Sequence, residues 1–288
     1  MTSTERLPFG ERLDAAMAEH GPLCVGIDPH PGLLAAWGLP HSVSGVARFA
    51  SICVEAFGGQ VAMVKPQSAF FEVFGSAGIA VLETTLAGLR DAGTLSLLDV
   101  KRGDIGSTMT AYAQAYLSDD AALRADAITV SPYLGVGTLA PAFDLAEATG
   151  RGVFVLALTS NPEGARVQHA HTGLGSVAGE IVADVTARNA AQRSAGRLGS
   201  VGMVVGATVG AAVADLGLDL TSAAAPLLAP GLGAQGGTVA GVREAFGAAT
   251  RFVLASSSRE VLSTGPDPIS LRRAAGTVAS SLRALRQA

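Results

Sequence analysis

The sequence predicts an α/β protein of (β/α)8 TIM-barrel architecture, and three observations carry that prediction. Eight short β-rich apolar runs recur along the 288 residues, longer helix-compatible segments separate them, and no Ser/Gly-rich or Pro-rich linker divides the chain. A chain of this length suggests two domains at first sight. Barrels of alternating strands and helices nevertheless reach it as one unit, so residues 1–288 are read as a single barrel domain. With 49% hydrophobic and 15% charged residues, the chain can bury a large core without help from a metal or a disulfide.

The apolar runs fall at 23–28, 61–65, 96–101, 127–131, 153–158, 202–205, 226–229 and 252–255. A parallel strand covered on both faces reads as a continuous apolar run rather than an alternating one, as VFVLAL at 153–158 does. Between the runs, segments such as 81–90 repeat Leu82, Leu86 and Leu89 at helical spacing. Seven crossovers of this kind and a final helix over 268–286 complete the count. The longest connection, 160–200, has a polar stretch at 161–174 that reads as a lid or as an insertion, followed by a helical segment at 177–193.

Composition excludes several classes of function. A formal charge of -4, from 20 basic and 24 acidic residues, offers no positive field for nucleic acid or an anionic membrane, so any anionic ligand must be held by a local site. The uncharged stretches 198–214 and 221–242 are broken by repeated glycines and by Pro226, Pro230 and Gln235, and are not read as membrane spans. Cys24 and Cys53 lie in a strand-like and a helix-like segment and are expected to be buried free thiols rather than a bridge. The opening MTSTER has no basic region followed by an apolar one, so no secretory signal is expected and the cytoplasm follows.

In barrels of this kind the active site is built at the C-terminal ends of the strands, which makes polar residues ending apolar runs the candidates. They are Asp28, Lys65, the pair Asp99 and Lys101, Thr159 with Ser160, and the run 256–259. The stretch LLDVKRGDIGST at 97–108 is the most informative. Strand alternation turns Asp99 and Lys101 to one side, toward the barrel mouth, and Val100 toward the helices, so the two charges should touch. Asp104 follows on the loop, where strand geometry no longer fixes its direction. Alone, an Asp-x-Lys pair is as compatible with a structural ion pair as with catalysis. A second lysine, Lys65, at the preceding strand end makes an alternating network too costly to serve packing, and favours function.

The stretch DVKRGDI at 99–105 resembles the D-x-K-x-x-D-I signature of the orotidine 5'-phosphate decarboxylase family, in its longer bacterial branch. Asp28, Lys65, Ser160, the PGLGAQ segment at 230–235 and Arg259 follow in the family's order, so the resemblance spans the barrel. It implies decarboxylation of orotidylate to uridylate in pyrimidine biosynthesis, with no metal or organic cofactor, by a homodimer with shared sites. Lys65, Asp99, Lys101 and Asp104 would form the catalytic network, with Asp104 lent to the neighbouring subunit's site. Asp28 and Lys65 would hold ribose hydroxyls, and Ile105 and Thr108 would cross the interface beside Asp104. Ser160 would read the pyrimidine edge, while Gln235 and Arg259 would bind the phosphate beside Pro230.

Other signals carry less. GLGAQG at 231–236 matches a dinucleotide fingerprint, but it follows the seventh run rather than opening a βαβ unit, and only a phosphate-cradling role is credible. His169 and His171 read as a solvated loop rather than a metal site, and Phe70, Phe71 and Phe74 as core with one ring edging the site. The rival readings are a magnesium-dependent sugar-phosphate decarboxylase or synthase with a similar Asp-x-Lys-x-x-Asp core, and a nucleotide-binding barrel without catalysis.

Overall fold

The computed structural model describes residues 6–233 and 236–287. Its centre is a closed barrel of eight parallel strands: β1 Leu23–Ile27, β2 Met63–Pro66, β3 Leu95–Arg102, β4 Ala127–Val130, β5 Gly152–Leu158, β6 Val201–Val205, β7 Leu227–Pro230 and β8 Val253–Ser257. Each strand pairs with the next, and β8 closes on β1 through Leu23 opposite Ala255. All eight expected strands form, with ends displaced by a residue or two. The last begins at Val253 because Phe252 closes a 3-10 turn, and the second begins at Met63, where pairing with Cys24 and Leu95 starts.

Alternation along the strands divides the core in two. Val25, Ile27, Val64, Ile128 and Val130 face outward into the layer shared with the helices, where Leu82, Leu86 and Leu89 of the helix Gly75–Asp91 are buried as their spacing predicts. Cys24, Met63, Leu97, Ala127, Phe154, Leu228 and Leu254 face inward.

A helix that the apolar runs do not announce, α1 at Phe9–His20, closes the N-terminal end of the barrel. Phe9, Leu13 and Met17, four residues apart on one helical face, are fully or almost fully buried against the inward set. The Phe9 ring meets Phe154 edge-on at 6.0 Å. Gly152 is obligatory beneath it, since an added Cβ would lie 2.3 Å from the Phe9 ring. With the barrel interior filled by apolar side chains at this end, its polar side chains gather at the opposite mouth.

In the long connection, 161–174 contains a 3-10 turn Pro162–Gly164, a helix Ala165–Gln168 and one strand of a small ribbon pairing His171–Thr172 with Gly175–Ser176. The expected helix over 177–193 divides into Val177–Arg188 and Ala190–Ser194. The break is at buried Asn189, whose amide leaves the helix to bond Val201 and Ala223 of the sheet side. The final helix, Pro268–Leu282, is capped by Asp267 and ends in a 3-10 turn, Arg283–Gln287. Cys24 and Cys53 are buried and free, and among the described residues no helix is long and apolar enough to cross a membrane.

Candidate active site

The acidic and basic residues of β2 and β3 meet at the barrel mouth. Both oxygens of Asp99 are engaged: Oδ2 accepts from Lys65 Nζ at 2.9 Å, and Oδ1 accepts from Lys101 Nζ at 2.6 Å and Thr129 Oγ1 at 2.8 Å. The Lys65 and Asp99 side chains are only 8% and 9% exposed, whereas that of Lys101 is 46% exposed. Lys101 is thus the accessible cation of the two. Lys65 also donates to Gln67 Oε1 at 3.2 Å, so among the described residues two of the ammonium's three N–H bonds are used and the third can serve a ligand.

Burial alone would raise the Asp99 carboxyl, but the Lys65 and Lys101 ammoniums outweigh it and hold the group down at about 2. Burial would likewise lower Lys65, but attraction to Asp99 and Asp28 overrides it and raises the group above the ordinary lysine value. The carboxylate and the buried ammonium therefore stay charged together through the neutral range.

The contact between Asp99 and Lys101 is the expected one, but strand alternation is not its cause. Regular pairing of β3 with β4 stops at Leu98 opposite Ile128 and resumes only at Arg102 opposite Val130. In between, Lys101 adopts φ 46°, a left-handed conformation costing a non-glycine residue about 1–2 kcal/mol. Its backbone N–H donates to Thr129 Oγ1 at 3.0 Å instead of to the ladder. Arg102, the next residue, turns outward to Glu72 at 2.7 Å and lies over the Tyr112 ring. Gly103 allows the following turn, since a Cβ there would stand 2.3 Å from the Ser131 carbonyl.

These residues border a cavity of about 320 Å3, at the small end of the roughly 300–1,000 Å3 typical of small-molecule sites. Asp28, Lys65, Asp99, Lys101, Ser160, Pro230 and Arg259 all line it. Asp28 Oδ1 is buried and has no hydrogen-bond partner among the described residues, which leaves a carboxylate oxygen able to accept from a ligand. Asp104, Ile105 and Thr108 are not part of this wall: Asp104 Oδ1 accepts from its neighbour Ile105 N–H, and Ile105 is 60% exposed. Gln235 lies outside the described residues. Phe71 is core, as expected, while Phe70 is half-buried beside His30.

Ser256 lines the cavity as the 256–259 run predicts, and Thr129, which is not among the candidates the sequence singles out, lines it too. The signal for Thr129 was its place between outward-facing Ile128 and Val130, which turns a polar side chain into the barrel.

A larger cavity, about 610 Å3, opens at the other end, beside Arg6 and Arg151. Those arginines already serve the fold: Arg151 holds the Ala125 and Leu117 carbonyls and Asp119, and Arg6 holds Asp119 and the Thr149 carbonyl.

Residues 21–269 match the model of the orotidine 5'-phosphate decarboxylase / HUMPS family. The chain belongs to this family. The orotidine 5'-phosphate decarboxylase of Salinispora arenicola is 60% identical over 276 residues, 96% of this chain and 97% of its own. That of Streptomyces coelicolor is 56% identical over 277 residues, with the same coverage. A crystal structure of a Streptomyces avermitilis protein assigned the same activity superposes with a TM-score of 0.94 at 54% identity, covering 100% of this chain and 99% of that one.

Proposed function

We propose that this protein decarboxylates orotidine 5'-phosphate to uridine 5'-phosphate in the cytoplasmic synthesis of pyrimidines. The observation that carries the reading is the Lys65–Asp99–Lys101 network at the cavity wall, in a chain 60% identical to a decarboxylase of that name. The two buried free thiols fit a reducing compartment.

Loss of carbon dioxide from C6 leaves an anion that the pyrimidine ring delocalises poorly, so a positive charge must stand where it develops. The Lys101 ammonium, held by Asp99 and still half exposed to the cavity, meets that need and then protonates C6. Its orientation is set before substrate arrives, so the transition state gains the charge without reorganisation.

Asp99 also repels the substrate carboxylate. Like charges about 4 Å apart interact by roughly 4 kcal/mol at an effective dielectric near 20, worth about three decades of rate if fully relieved. That is too little for the whole acceleration, so carbanion stabilisation ranks first. No step calls for a metal or organic cofactor.

In this reading the unpartnered Asp28 oxygen and the remaining Lys65 N–H hold ribose hydroxyls, Ser160 reads the base edge beside Pro230, and Arg259 with Gln235 takes the phosphate. Arg259→Ala should weaken uridylate binding by roughly 10- to 100-fold and leave uridine affinity nearly unchanged, as calorimetry with both ligands would reveal. Equal losses for both would remove Arg259 from the phosphate.

The active form is proposed to be a homodimer. Apolar Val73, Ile105, Tyr133 and Leu134 are 65%, 60%, 80% and 51% exposed on loops around the mouth, which suits a covered surface. Asp104, Ile105 and Thr108, turned away from their own cavity, would complete the partner's.

The direct test is carbon dioxide release from orotidylate by chelator-treated protein. Stoichiometric release in EDTA is expected, whereas an absolute need for magnesium would favour the sugar-phosphate branch, and uridylate binding without turnover a non-catalytic barrel.

A further inference from the structure

We propose that Thr129 is a positioning residue for the decarboxylation, its hydroxyl holding Lys101 in the left-handed conformation that aims the ammonium at C6. The inference rests on the decarboxylase reading above and adds a residue to it.

Thr129 is 1% exposed, on the inward face of β4, and its oxygen is shared between two parts of the same apparatus. It accepts the Lys101 backbone N–H at 3.0 Å, and it lies 2.8 Å from Asp99 Oδ1. Asp99 is ionised and can only accept, so the hydroxyl proton points to the carboxylate and a lone pair to the amide. The direction of both bonds is therefore fixed.

The location matters because this is where the β3–β4 ladder lapses. Between Leu98 and Arg102 no regular strand partner receives the Lys101 N–H, and the backbone stands at φ 46°. The side chain of Thr129 supplies the acceptor that the ladder omits. The same hydroxyl steadies Asp99 Oδ1, the atom on which the Lys101 ammonium rests at 2.6 Å. One group thus fixes the lysine at both ends, its amide directly and its ammonium through Asp99. Although Thr129 lines the cavity, its one O–H donor is committed to Asp99 and one of its two lone pairs to the Lys101 amide, which makes it a support for the reacting group.

Thr129→Val removes the hydroxyl at nearly constant shape, and Thr129→Ser keeps it. With wild-type turnover of orotidylate established first, Thr129→Val should lower kcat by about 10- to 100-fold while uridylate affinity changes less than about threefold, and Thr129→Ser should stay within about threefold of wild type in both. A parallel loss of affinity and kcat in the valine variant, a serine variant as impaired as valine, or wild-type turnover in the valine variant would each overturn the proposal. A measurement on the wild-type protein does not depend on how the variants fold: the Lys101 amide should be protected from hydrogen exchange like the neighbouring strand amides. Rapid exchange of that amide would refute the anchor, and absence of turnover in the wild-type protein would instead refute the decarboxylase reading.

Discussion

Lys101→Ala is expected to lower decarboxylation of orotidylate by at least about 10^4-fold while uridylate still binds within roughly tenfold of wild type. The size follows from the two duties assigned to one group. A preorganised charge beside a developing anion contributes about two to three decades, and proton delivery to the same atom about two to four. The other lysine cannot substitute, because Lys65 is 8% exposed and held between Asp99 and Gln67. Binding should survive because, in the proposed reading, Asp28, Ser160 and Arg259 anchor the nucleotide elsewhere on the cavity wall. A rate measured by carbon dioxide release together with a dissociation constant for uridylate separates the two effects.

The second large effect concerns the proposed sharing of the site between subunits. Asp104→Ala alone should be nearly inactive, as should Lys101→Ala alone, yet an equal mixture of the two should recover activity once subunits exchange. If Asp104 serves the partner's cavity, a mixed dimer has one site lacking both groups and one site intact. Random exchange makes half of all dimers mixed, so about one quarter of wild-type activity should return. Mixed dimers purified by two different tags and found inactive would show that Asp104 serves its own subunit. The geometry that motivates the experiment is local: Asp104 accepts from Ile105 N–H and does not line the cavity of its own chain.

Much of this architecture is legible in the sequence because of how parallel barrels bury their strands. A strand covered by helices outside and side chains inside must be apolar on both faces, so β5 and β6 stand out as uninterrupted runs. Polar residues at the ends of such runs are then conspicuous, and Asp28, Lys65, Asp99, Lys101, Ser160 and Arg259 do converge on one cavity.

The floor helix is harder to see. Its buried anchors Phe9, Leu13 and Met17 stand among Glu11, Arg12, Asp14 and Glu19, and a narrow apolar stripe of this kind does not distinguish a barrel plug from a surface helix.

The backbone of Lys101 was not legible at all. Alternation predicts an extended residue on the same face as Asp99, and the contact forms, but through a left-handed turn where the ladder is broken. Such a conformation depends on tertiary partners, here Thr129 and, through the neighbouring Arg102, Glu72, both of which are distant in sequence. Only family resemblance implies a partner-subunit role for Asp104, Ile105 and Thr108, since spacing along one chain carries no information about a second.

Delivery of the proton to C6 by the Lys101 ammonium can be tested on the product alone. By microscopic reversibility, a group that protonates C6 in the forward direction must also remove that proton from bound uridylate. Uridylate incubated in deuterium oxide with wild-type protein should therefore exchange its C6 hydrogen for deuterium, followed by loss of the C6 proton resonance, and Lys101→Ala should abolish the exchange at saturating uridylate. Exchange at the wild-type rate in Lys101→Ala would contradict the account.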